Sequence, residues 1–179
     1  MPALFLLGFM GSGKSAVARH LSRGLNLPLV DLDSYIETQI ATSIADFFVS
    51  QGENVFREVE TEALAKFCDQ NAVVSLGGGV PTQPINREIL KNAAQNGALV
   101  VYLQTAPAIL AARIRRAPGK RPLIDGDGAL DLAGTQRRVE LLMREREGFY
   151  LECSNFRVET NTSSIQDVAA EVEQAYRDR

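Results

Sequence analysis

The chain has 179 residues, 45% apolar and 23% charged, enough for one domain with its own core and an ordinary globular composition. Its formal net charge of −3 argues against a general attraction to nucleic acid or anionic membrane, so any basic site must be local. One histidine and two widely separated cysteines argue against a zinc enzyme or a Ser-His-Asp hydrolase; His20 is expected at the surface, and Cys68 and Cys153 as reduced thiols, buried or half-buried.

The chain opens with an apolar strand over Ala3–Leu7, followed by "GFMGSGKS" and a helix from Lys14. No Lys or Arg precedes the apolar run, the run is short, and glycine stands where a cleavage site would be, so a signal peptide is not expected. No stretch approaches the length of a membrane span, and a cytoplasmic protein without membrane partners is expected. Gly8, Gly13, Lys14 and Ser15 fill the pattern G-x-x-x-x-G-K-[ST] between strand and helix. Glycines there let backbone N–H groups turn inward, Lys14 reaches the outer phosphates, and the Ser15 hydroxyl is placed to ligate magnesium. The loop is expected to hold a nucleoside triphosphate.

A second strand, Pro28–Leu32, ends in "VDLDSY". Residues two apart in an extended chain face the same way, so Asp31 and Asp33 are expected to point together into the crevice at the strand's carboxyl end. One would help to hold hydrated metal, the other would orient a substrate hydroxyl and take its proton. Helices are expected over Ser34–Ile40, Ser43–Val49 and Glu53–Cys68, the last carrying Arg57 in "GENVFREVE" with Glu60 one turn on. The third strand, Ala72–Leu76, ends in "SLGGGV"; three glycines suit a backbone that must approach a ligand closely. Further helices are expected over Asn86–Gln95 and Pro107–Arg116, around a strand at Ala98–Leu103.

Residues 117–131, "APGKRPLIDGDGALD", form a long polar segment of the kind used as a lid, and Arg121 within it could close over the phosphates. A helix from Leu132 to about Tyr150 carries Arg146 in "MREREGFY", a further arginine whose planar fork suits a carboxylate. A strand at Phe156–Glu159 and a helix from Ser164 to Arg177 complete the chain, with Ser163 or Ser164 as N-cap and Ile165, Val168, Ala169, Val172 and Tyr176 on the buried face. Continuous apolar strands alternating with helices argue for a three-layer α/β domain around a mostly parallel sheet.

These pieces resemble the shikimate kinases from the first strand to about Asn161. The likeness is carried by "GFMGSGKS", "DLD", "SIADFF" followed by "GENVFREVE", "SLGGGV", "RPLI", "RERE" with Tyr150, and "RVETN", in order and at compatible spacing. The resemblance implies ATP-dependent phosphorylation of the 3-hydroxyl of shikimate, a step toward chorismate and the aromatic amino acids. It also implies the fold of the nucleoside monophosphate kinases: one domain over residues 1–179 with a five-stranded parallel sheet, a substrate-binding helical region at about 33–60 and a lid at about 113–131.

Carried over position by position, Gly11, Ser12, Gly13, Lys14, Ser15 and Ala16 would bind the ATP phosphates. Ser15 would hold Mg2+ directly and Asp31 would reach it through water. Asp33 would contact the shikimate hydroxyls as the base, Arg57 and Arg146 would clamp its carboxylate, and the run Gly77, Gly78 and Gly79 would present a backbone N–H from Gly78. Arg121 would be the lid arginine, catalytic with Lys14 and Asp33, and Arg157 would lie by the adenine. The resemblance also accounts for Ser75, which stands where many phosphate-loop proteins carry a magnesium-binding Asp. The chain departs from the family at Gly148 and Phe149, where Pro and an aliphatic residue are common, and at Ala41 and Thr42, where a Gly is common.

The rival readings are a kinase of gluconate or a nucleoside monophosphate, and a nucleotide-binding module without an acceptor, which would have no need of Asp33, Arg57, Gly78 and Arg146 together. Nucleic-acid binding through Arg113, Arg115, Arg116, Lys120 and Arg121 is disfavoured by the acidic balance of the chain. A monomer acting on ATP and shikimate is expected.

Overall fold

The structure is a computed structural model that describes residues 2–116 and 131–179. The lid expected at about 113–131 therefore lies mostly outside the described residues, and Arg121 with it.

The apolar runs form five strands: β1 (Leu4–Leu7), β2 (Leu29–Asp31), β3 (Val73–Ser75), β4 (Leu99–Gln104) and β5 (Phe156–Glu159). They make one parallel sheet in the order β2-β3-β1-β4-β5, with Leu4 in register with both Val73 and Leu99. Helices fill the connections: α1 (Lys14–Leu25), α2 (Leu32–Ile40), α3 (Ile44–Gln51), α4 (Glu53–Lys66), α5 (Pro84–Gln95), α6 (Pro107–Arg116), α7 (Leu132–Cys153) and α8 (Ile165–Arg177).

Strand alternation sends Phe5 and Leu7 to one face of β1 and Leu4 and Leu6 to the other. The first face joins a core with Ile36, Phe56, Leu64, Leu90, Leu110 and Tyr150; the second packs on Val17, Leu21, Val168 and Val172 from α1 and α8. Both faces are covered, which is why β1 and β4 read as unbroken apolar runs. The edge strand β2 is less protected, and Leu29 is exposed there.

Two local expectations are corrected. The second strand stops at Asp31 rather than running on to Leu32, because the Asp31 side chain accepts from the Ser34 N–H at 3.2 Å and caps α2. In α8 the cap is Ser164, in a reciprocal capping box with Asp167; the next residue, Ile165, is exposed, while Val168, Ala169, Val172 and Tyr176 are buried as expected. Cys68 and Cys153 are free thiols, half-buried and buried, and His20 is exposed.

From β1 the chain crosses past β3 to β2, returns to β3, and then moves to β4 on the other side. The carboxyl end of β1, where Gly8 begins, is thus the switch point of the sheet, the place where such folds open a crevice.

Candidate active site

The phosphate loop leaves β1 at Gly8 and closes on α1. Gly13 is the N-cap of α1 in the left-handed region, with φ 96°, a conformation that a side chain would strain. Among the described residues, the N–H groups of Gly11, Gly13, Lys14 and Ser15 have no protein acceptor. Together with the helix N-terminus, whose first turn carries no acidic residue, they form an anion cradle. Ser12 and Ala16 are differently placed, their N–H groups turned to Phe9 O at 3.2 Å and Gly13 O at 3.0 Å, and the Ser12 side chain is buried under the loop. Ser15 is exposed in the first turn of α1.

Lys14 folds over this cradle and donates to Gly8 O at 2.7 Å and Phe9 O at 3.0 Å. Burial pushes its ammonium down to about 8, opposed by the charges of Asp33 and Asp31. The coupling is mutual: the Asp33 carboxyl is raised above its ordinary range by burial first and Asp31 second, with Lys14 pulling the other way. Asp31 and Asp33 do share the crevice with Lys14, but not by strand alternation. Asp31 is the cap and Asp33 sits in the first turn of α2.

The glycine run forms the opposite wall. All three of its carbonyls are tied down: Gly77 O accepts from the Val80 N–H at 3.2 Å, Gly78 O from the Tyr150 hydroxyl at 2.7 Å, and Gly79 O from the Thr82 N–H at 3.0 Å and hydroxyl at 2.6 Å. The three N–H groups have no protein acceptor among the described residues. Side chains are excluded for a spatial reason. A Cβ on Gly77 would lie 2.6 Å from an Asp33 carboxylate oxygen, and one on Gly79 would lie 3.0 Å from Arg57 Nη1. Asp33 and Arg57 are therefore both seated on the one backbone turn formed by the glycine run.

Arg57, on α4, is held at both sides. Its Nη1 reaches both Glu60 oxygens at 2.9 and 3.1 Å, and its Nη2 reaches Glu53 at 3.0 Å. Glu60 is only 2% exposed. Burial disfavours the Arg57 charge, but Glu60 and Glu53 overcome this and raise its pKa above the ordinary value. Arg146 is half-buried on α7, one turn before the fully buried Tyr150, whose hydroxyl feels its charge.

Two contributors escaped the sequence reading. Arg113 spans the site's other end, donating from Nη1 to Gly11 O at 3.4 Å and from Nη2 to Thr160 O at 2.8 Å. Glu60 is the buried anchor of Arg57. Both carried a signal: each is a charge on an otherwise apolar helical stripe, Arg113 between Leu110 and Ile114, Glu60 between Phe56 and Ala63. Arg157 is exposed on β5 in register with Tyr102, whose hydroxyl feels its charge, and Arg113 ties the phosphate loop to the end of β5.

The chain matches known proteins over nearly its full length. The family model of shikimate kinase matches residues 10–177. The shikimate kinase of Enterococcus faecalis is 33% identical over 179 residues, covering 99% of this chain and 100% of that protein. That of Symbiobacterium thermophilum is 34% identical, covering 98% and 97%. Among solved structures, shikimate kinase from Acinetobacter baumannii in complex with shikimate superposes with a TM-score of 0.86 at 31% identity, covering 99% of this chain and 94% of that one.

Proposed function

The chain belongs to the shikimate kinase family, and on that premise we propose that it transfers the γ-phosphoryl group of ATP to the 3-hydroxyl of shikimate, in the cytoplasm, on the route to the aromatic amino acids. The observation that carries the acceptor half of this reading is the seating of Asp33 and Arg57 on Gly77 and Gly79, within charge reach of Lys14. It supplies a base and a carboxylate fork at a fixed separation beside a phosphate cradle.

The free N–H groups of the phosphate loop and the Lys14 ammonium receive the phosphates. Asp33 orients the acceptor hydroxyl and takes its proton as that oxygen bonds to the γ-phosphorus and the bond to the bridging oxygen of ADP breaks. Its raised pKa makes it a better proton acceptor than an ordinary carboxylate. Arg57 and Arg146 hold the acceptor carboxylate, with the N–H of Gly78 between them. Arg121, outside the described residues, is assigned to the lid.

The donor set fits Mg2+, which keeps most of its waters and takes few protein ligands. Ser15 offers an exposed hydroxyl, and Asp31 spends only one carboxylate oxygen on the α2 cap, leaving the other to hold a metal-bound water. The ion would neutralise charge on the β- and γ-phosphates.

Asp33→Asn tests the role assignment. Turnover with shikimate is expected to fall by about a hundredfold or more while ATP affinity by equilibrium titration stays within about twofold. An equal loss of ATP affinity would remove Asp33 from the acceptor side.

A further inference from the structure

Three consecutive glycines have the least backbone stiffness a chain can offer, yet their N–H groups must keep one direction to bind an acceptor. Two of the three carbonyl anchors are local, from Val80 and Thr82. The third comes from 72 residues away, where the Tyr150 hydroxyl donates to Gly78 O at 2.7 Å. Tyr150 is fully buried, and its ring stacks on Tyr102 with centroids 5.2 Å apart, so the hydroxyl is fixed in place. A trans peptide points its N–H opposite to its C=O, so holding Gly78 O also aims the Gly79 N–H.

Arg146 lies four residues before Tyr150 on the same face of α7. Burial pushes the Tyr150 hydroxyl up to about 12, and the nearby Arg146 guanidinium opposes this. The phenol stays protonated and donates its hydrogen to Gly78 O, with the Arg146 charge close by. The hydroxyl that holds the glycine run therefore lies one helical turn from an arginine assigned to the acceptor carboxylate.

We propose that Tyr150 is a positioning residue of the acceptor site, its buried hydroxyl fixing the peptide that joins Gly78 to Gly79 one helical turn from Arg146. This rests on the reading of the acceptor as shikimate.

Tyr150→Phe keeps the ring and its stack and removes only the hydroxyl. Steady-state kinetics are expected to show the KM for shikimate raised about tenfold, with the KM for ATP within about twofold of wild type, because only the acceptor wall loses its anchor. In an Arg146→Lys background the same change is expected to add less than about twofold, since both residues serve the same acceptor carboxylate. An unchanged KM for shikimate would overturn the proposal. So would equal rises in both KM values with a lowered melting temperature, which would make Tyr150 a structural support only, or a full tenfold effect on top of Arg146→Lys. Wild-type protein that turns over no shikimate would overturn the acceptor reading and this proposal together, whereas the other outcomes leave that reading standing.

Discussion

Lys14 carries a lysine's charge in a place that does not favour it. Burial lowers its pKa to about 8, and without the carboxylates of Asp33 and Asp31 it would fall further. Below that pH the ammonium is charged in both the folded and the unfolded chain. Between about 8 and its ordinary value of 10.5, the folded protein holds fewer protons than the unfolded one, so this group makes stability rise with pH in that window while its pull on phosphate fades. The expected profile is a kcat/KM for ATP that falls about tenfold per pH unit above pH 8, with no loss of melting temperature from this group. A profile flat to pH 10 would show that Lys14 keeps its proton. Lys14 was legible because the loop it serves, Gly8 to Ser15, is contiguous in sequence. The pairing of Asp33 with Gly77 and of Arg57 with Gly79 was legible only as a list of residue types, since nothing in the spacing says that one backbone turn seats both side chains. Arg113 was passed over because a helix-end arginine is ordinarily solvated, and its place on an apolar stripe was the clue.

At the scale of elements, two departures from the family pattern each cost stability, for opposite backbone reasons. Ala41 caps the C-terminus of α2 with φ 56°, in the left-handed region, which explains why Gly is common there. Ala41→Gly is expected to stabilise the fold by about 1 kcal/mol in chemical denaturation. Gly148 lies inside α7, and a Cβ there would meet nothing within 4 Å, so Gly148→Ala is expected to add about 0.5–1 kcal/mol. Destabilisation by either would mean that the local backbone differs from the one described. Loosening of α7 at Gly148 is countered by its neighbour: the Arg87 guanidinium stacks on Phe149 at 4.4 Å while donating to Pro81 O and Thr82 O, tying α7 to the segment after the glycine run. Element identities followed from periodicity, and every strand fell within about two residues of its expected place. Ends drifted where a polar side chain took a backbone role, as Asp31 does at the start of α2.

For the whole molecule, alternation of strand and helix and the unbroken apolar runs were enough to imply three layers and a parallel sheet. Strand order was not readable from periodicity, because it depends on which crossover each helix makes; the resemblance supplied the family fold instead. That order places the end of β1 between β3 and β4, and so brings the phosphate loop, the DLD turn, the glycine run and α6 to one rim of the sheet. Among the described residues no helix is long and apolar enough to cross a membrane. The architecture is common to kinases of several small acceptors, and only the furnishing of that rim separates them. The most direct test is ADP release from magnesium ATP by the purified protein with shikimate, gluconate, AMP or no acceptor compared side by side. Release that depends on shikimate alone is the result predicted here. Release without any acceptor, or with AMP or gluconate in place of shikimate, would contradict it and leave only the phosphate cradle of the account in place.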